Sequence, residues 1–245
     1  MVLDSFGASD LATTTITVNN VAPTITNLTL PVAPVQVGDP INLSATFTDP
    51  GSNDELTCSF NWDGGGPDSV DAAAGNVCSA SNTFALAGVY TVAVTGSDDD
   101  GGTSLPDHVV IVVYNPDASV TAGGFIDSPA GALVAKPAAA GKAHFTLNPR
   151  YLPGATIPSG QAQFRFQAAG FDFDASALEW LVVTTENEGQ LKGTGTVNGA
   201  GAYGFLLTVF DGKLGGPGGG DLFRLKVWDP SAGDAVVYDN VPGAP

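Results

Sequence analysis

Seven aspartates of this chain stand where they could hold a cation. Asp49 and Asp54 fall in one turn, Asp98, Asp99 and Asp100 in another, and Asp211 and Asp221 flank the run Gly212-Lys213-Leu214-Gly215-Gly216-Pro217-Gly218-Gly219-Gly220. Calcium takes about six to eight oxygen ligands converging from several loops. Acids gathered from separate turns therefore suit Ca²⁺, although none of these groups forms the Asp-x-Asp-x-Asp-Gly loop of an EF-hand. The alternative is charge that is only solvated and keeps the chain soluble, and the glycine run also reads as a flexible loop.

Paired carboxylates are the other candidate chemistry, since a glycosidase needs two. Phe171-Asp172-Phe173-Asp174 puts both acids on one face of an extended segment, about 7 Å apart, and both aromatics on the other. Nothing nearby in sequence would raise one pKa above the other, so a polar edge over a packed aromatic face is the plainer reading. The two histidines, His108 and His144, lie beside or within strands and away from any Gly-x-Ser-x-Gly elbow. Cys58 and Cys78 are the sole cysteines. Twenty residues of separation suit a disulfide that pins a long connection and implies an oxidising compartment. Two free buried thiols, or a metal pair lacking further Cys or His, are the other possibilities, and the spacing is shorter than in the inter-sheet bridge of antibody domains.

These residues must be carried by strands. Gly 32 and Pro 17 in 245 residues, with frequent Thr and Val and no long segment of helical period, predict many short strands joined by turns. Ile41, Leu43, Ala45 and Phe47 alternate with polar residues, as do Leu56, Cys58, Phe60 and Trp62, and Tyr90, Val92 and Val94. Thr24–Leu30 and Val109–Tyr114 complete the first set, with Cys78 placed in a turn over 75–79. In the second half, Ala162, Phe164, Phe166 and Ala168 alternate with Gln161, Gln163, Arg165 and Gln167, and Phe223, Leu225 and Val227 with Leu222, Arg224 and Lys226. Lys142–Leu147, Glu179–Thr184, Ala202–Phe210 and Ala235–Tyr238 bring the second half to about eight strands.

Charge is divided along the chain. Residues 1–117 hold 14 Asp/Glu and no Lys or Arg, a formal charge of −14, while 118–245 hold all eight bases against 11 acids, −3. Nucleic acid is excluded as a partner, because phosphate binding needs clustered Lys/Arg. No window reaches the roughly 18–20 apolar residues of a membrane helix, and no basic n-region or apolar h-region follows Met1. The chain thus reads as a fragment of a secreted or cell-surface protein.

Gly88-Val89-Tyr90-Thr91-Val92-Ala93-Val94-Thr95-Gly96-Ser97-Asp98-Asp99-Asp100-Gly101-Gly102, with Asn20-Val21-Ala22-Pro23, Phe47-Thr48-Asp49-Pro50-Gly51 and Thr83–Tyr90, resembles the PKD family of immunoglobulin-like extracellular repeats. The family's Trp-x-Phe-Gly-Asp-Gly type motif appears as Phe60-Asn61-Trp62-Asp63-Gly64-Gly65, its acidic residue one place early. Ser5–Asn20 corresponds to Asp99–Asn115 at an offset of 94 to 95 residues, as in a chain cut from a tandem array. Val120–Gly131, Gly141–Phe145, Glu179–Val183, Gly193–Gly199 and Val236–Asn240 resemble a bacterial β domain, of no established activity, that commonly follows PKD repeats near the C-terminus of large secreted proteins.

The resemblance and the pattern together predict an all-β chain of two β-sandwich domains, an Ig-like PKD sandwich over 22–116 and a jelly-roll-like sandwich over 117–245. Residues 1–21 form the end of a preceding repeat. The expected function is a non-catalytic spacer or adhesive stalk, Ca²⁺-stabilised and self-associating, with other copies or neighbouring domains of the same protein as partners. The alternative is a carbohydrate-binding accessory region of a secreted hydrolase, its partner a cell-wall or extracellular polysaccharide stacked on exposed aromatics such as Tyr151 or Tyr203. The leftover strand, residues 12–20, is expected to add to an exposed sheet edge of the following repeat or of a neighbouring copy.

Overall fold

The computed structural model describes the chain except residues 1, 4–8, 11–12, 18, 52, 64–69, 73–75, 213–220 and 243–245. A short antiparallel pair, β1 (Val2–Leu3) and β2 (Ser9–Asp10), opens the chain. Residues 13–17 then run exposed and outside every strand, so the described part of the leftover segment does not extend a sheet of the following repeat. Its Thr-rich sequence has too little apolar surface to offset the entropy of ordering it against an edge.

Eight strands follow: β3 (Thr24–Thr29), β4 (Val35–Gln36), β5 (Pro40–Thr48), β6 (Thr57–Trp62), β7 (Val70–Ala72), β8 (Val77–Thr83), β9 (Gly88–Ser97) and β10 (Asp107–Tyr114). They form two sheets, a three-stranded β3-β5-β8 and a five-stranded β4-β10-β9-β6-β7. The alternation in β5 buries Ile41, Leu43, Ala45 and Phe47. These pack with Cys58, Phe60 and Trp62 from β6, Val92 and Val94 from β9, and Ile111 and Val113 from β10. Each large apolar side chain so buried contributes about 1.5–3 kcal/mol. The Cys58–Cys78 disulfide joins β6 of one sheet to β8 of the other, with Cα atoms 6.3 Å apart. Cys78 thus lies in a strand and not in a turn, and the bridge is inter-sheet despite its short spacing. The inward positions of β8 are only Cys78 and Ala80, too small to give the apolar alternation that marks a strand.

The second half holds β11 (Ala122–Ser128), β12 (Gly141–Leu147), β13 (Ala162–Phe166), β14 (Phe171–Val183), β15 (Glu188–Val197), β16 (Ala200–Phe210), β17 (Leu222–Asp229) and β18 (Ala235–Asp239). The all-β expectation is met. The connectivity differs from a jelly roll, because all eight strands lie side by side in chain order as one antiparallel sheet. Short turns impose that order: Asn198-Gly199, both at positive φ, join β15 to β16. Phe171–Asp174 and Glu179–Thr184 prove to be parts of one strand, β14, bent by register shifts between Ala175 and Ala177 and between Leu178 and Trp180.

The sheet rolls over an aromatic interior. Phe145 stacks on Phe223 with centroids 4.1 Å apart, Phe171 on Tyr238 at 5.0 Å, and Phe173 meets Phe205 edge-on at 5.1 Å. The connection after β11 reaches the far edge of the sheet, where Val134 N–H donates to Val237 O and Asp239 N–H to Ala132 O. Inside, the hydroxyls of Ser128 and Tyr238 are 2.9 Å apart.

The two halves meet at the end of β10. Tyr114, 3 % exposed, packs within the aromatic core of the second half and stacks on Tyr151. Trp180 and Val182 are buried on the face of β14 opposite Leu181, and β14 lies against β9 and β10.

Candidate metal centre

Two turns at one end of the first sandwich carry the acids. Asp49 follows β5 and turns the chain by accepting the Gly51 N–H at 2.7 Å. Asp98 follows β9, is 7 % exposed, and accepts the Gly102 N–H at 2.6 Å. Asn20 reaches Asp98 from before β3, its Nδ2 lying 3.0 and 2.9 Å from the two carboxylate oxygens. Asp99 Oδ1 accepts the Glu55 N–H at 3.0 Å and so ties the two turns together.

Asp49, Asp54 and Asp98 each offer a carboxylate oxygen, all within 4.8 Å of one another. Asp49 Oδ2 is buried and accepts no hydrogen bond, an arrangement that costs free energy unless something else satisfies the oxygen. Partial burial pushes the Asp54 pKa up, and the neighbouring carboxylates of Asp49, Asp100 and Asp99 act the same way. The Asn20 hydrogen bond pulls Asp98 down, helped by backbone N–H groups of Gly102, Asp100 and Gly101 and opposed by burial. The turns admit the carboxylates only because Gly51 and Gly102 lack a Cβ. One at Gly51 would collide with the Asp54 carboxylate, and one at Gly102 with Asp98 and the Ala22 backbone. Oxygen-only donors, an orphaned carboxylate oxygen and no Lys or Arg within residues 1–117 fit a hard divalent cation of the calcium type.

Of the seven aspartates proposed from sequence, the structure therefore brings Asp49, Asp54 and Asp98 together, with Asp99 and Asp100 in the same turn region. Asp221 Oδ1 accepts the Gly212 N–H at 3.2 Å, and Asp211 N–H donates to Asn187 O. The glycine loop they flank lies at 213–220, outside the described residues. Asn20 was not among the sequence candidates, since an asparagine far from both turns carries no local signal. Asp63, the displaced acid of the Phe-Asn-Trp-Asp turn, accepts the Thr91 N–H at 3.1 Å.

Residues 20–113 match the family model of the PKD domain. PKD domains are generally extracellular and typically non-catalytic accessory modules. Among solved structures, the PKD domain of M14-like peptidase from Thermoplasmatales archaeon SCGC AB-540-F20 is 23 % identical, with 39 % of this chain and 98 % of that one covered and a TM-score of 0.31. No curated protein matches the chain. No helix among the described residues is long and apolar enough to cross a membrane.

The remaining candidates acquire structural partners. Asp172 and Asp174 do share the face opposite buried Phe171 and Phe173, as expected. Asp174 Oδ1 pairs with Arg165 Nη2 at 2.5 Å, and Arg165 lies directly across from Asp172. The Asp174 carboxylate is thus committed to a structural ion pair with Arg165 across the β13–β14 ladder. Tyr151, proposed as an exposed stacking residue, is 6 % exposed and Tyr203 is half-buried.

Proposed function

We propose that this chain is a non-catalytic spacer of a large secreted or cell-surface bacterial protein, stabilised by Ca²⁺ at Asp49, Asp54 and Asp98. The observation that favours a spacer over a sugar-binding module is the state of the aromatics. Of the 20 described Phe, Tyr and Trp residues, only Phe125 is exposed. Its ring is covered by the Lys142 Nζ, 3.7 Å from the centroid. Stacking on polysaccharide needs a row of exposed rings, and here the rings fill the two cores instead.

The acidic first half, the disulfide and the continuous packing at Tyr114 all suit an extracellular strut. Its neighbours would be other copies or adjoining domains of the same protein, to which the exposed residues 13–17 offer unpaired backbone groups. A glycan array and a cell-wall pull-down with the full chain test this reading. A spacer is not retained by neutral polysaccharides. Retention that is lost on substituting the half-buried Tyr203 or Trp228 would instead establish the sugar-binding alternative.

A further inference from the structure

At the end of the rolled sheet nearest the first sandwich, three extended segments lie side by side outside the main strands. Ser119 pairs with Arg150, and Arg150 with Ser159, both antiparallel. Residues directly opposite in antiparallel pairs project to the same face with Cβ atoms about 4.5–5.5 Å apart. Ser119, Arg150 and Ser159 therefore form one row across the three segments. The row lines a concavity of about 340 Å³, to which Thr121, Asn148 and Leu152 also contribute.

The chemistry of this concavity differs from the rest of the surface. Arg150 makes no ion pair among the described residues, while Arg165, Lys192 and Arg224 each hold a carboxylate. None of the residues lining the concavity is acidic, in a chain with 25 acids and eight bases. Asn148 Oδ1 is committed to the Gln161 N–H at 2.7 Å, which turns the amide's two N–H groups to other partners. Three hydroxyl-bearing residues, an amide and the five-donor fork of a guanidinium thus border one space. A guanidinium binds carboxylate in bidentate fashion, and hydroxyl and amide groups match sugar hydroxyls.

We propose that Arg150, Ser119, Ser159 and the Asn148 amide form a binding site for a small hydroxylated monocarboxylate, a sugar acid of uronate type. The carboxylate sits on Arg150 and the ring hydroxyls on the serines and the amide. The size of the concavity and the net charge of −17 select a single, singly charged ring over an extended acidic polymer, which the protein as a whole repels. The site goes beyond the spacer role, since it needs no exposed aromatic and would give a strut one weak point of recognition.

The test is a titration of the full ¹⁵N-labelled chain with sodium glucuronate, with glucose and with sodium acetate at matched ionic strength. Glucuronate should shift the amides of residues 119–121, 148, 150 and 159–161 along saturable curves with a millimolar Kd. Glucose should leave them unmoved, and acetate should bind at least 10-fold more weakly. R150Q, a change to an exposed side chain, should weaken glucuronate at least 10-fold, and S159A several-fold, with unchanged melting temperatures. Linear shifts without saturation, equal affinity for acetate and glucuronate, or binding unaltered in R150Q would overturn the proposal.

Discussion

The ring of Tyr114, the last residue of β10, stacks on that of Tyr151 with centroids 4.6 Å apart and planes inclined by 29°. The Tyr151 hydroxyl in turn donates to Leu181 O at 3.2 Å and accepts the Leu181 N–H at 3.1 Å. A side chain of the first half is thereby inserted into the second half's core, and one phenol fastens that contact to the longest strand of the rolled sheet. The link between the halves is also bonded. Ala118 N–H donates to Asn115 O, Tyr151 N–H to Ala118 O, and Val120 N–H to Pro149 O. A connection with its backbone groups satisfied in this way has few conformations open to it.

Removing the fastening should therefore destabilise the second half. Y151F leaves the buried Leu181 N–H and C=O without a partner, which costs about 1–3 kcal/mol. Y114A, a large-to-small change at a buried aromatic, costs about 3–5 kcal/mol. Calorimetry should place both losses in the transition that involves residues 118–245, although Tyr114 belongs to a strand of the first sandwich.

Alkaline pH should reveal the same phenols. Burial pushes the Tyr151 pKa up to about 12, with its hydrogen bond to Leu181 pulling slightly the other way, and burial also raises Tyr238. An unfolded tyrosine ionises near 10. The stability these groups provide is present in full below about pH 10 and is lost as pH rises from there through about 12, because the unfolded state releases its protons first. Melting temperature against pH should fall along this limb, and Y151F should flatten the fall.

Cation binding should stabilise the first sandwich. A ligand that binds only the native state at about 100 Kd adds about 2.7 kcal/mol, so millimolar Ca²⁺ should raise the melting temperature beyond NaCl of equal ionic strength. D49N and D98N should abolish the rise. D54N should also abolish it, while raising the stability of the cation-free protein above pH 4. The raised Asp54 pKa means that stability is lost as pH climbs through it.

The disulfide should contribute on the order of 3 kcal/mol, the chain-entropy value for a loop of about 20 residues. The C58S/C78S double variant should show that loss in urea melts. Thiol titration of the unfolded, unreduced protein should find no free thiol.

Much of the first sandwich was legible because its inward residues are large. Ile41 to Phe47 and Cys58 to Trp62 announce their strands by period alone. β8 escaped because Cys78 and Ala80 barely alternate in size with the serines around them. The rolled sheet was legible strand by strand and not in its connectivity, since a meander and a jelly roll share the same alternation and differ in which strands pair. Asp49, Asp54 and Asp98 were visible as turn acids. Their convergence with Asn20 depends on β5, β9 and the segment before β3 ending at one place, which is a property of the fold. Tyr151 carries no local sign of burial, since Leu152, Pro153 and Gly154 after it set no alternation, and only tertiary packing turns it inward.

The central claim is that the chain is one stiff strut rather than two domains on a hinge. Residual dipolar couplings of the full chain, measured in a single alignment medium, test it directly. The account predicts that couplings from residues 24–114 and from 122–239 fit one alignment tensor with a common magnitude and orientation. Two tensors of different magnitude, the sign of independent reorientation, would contradict it.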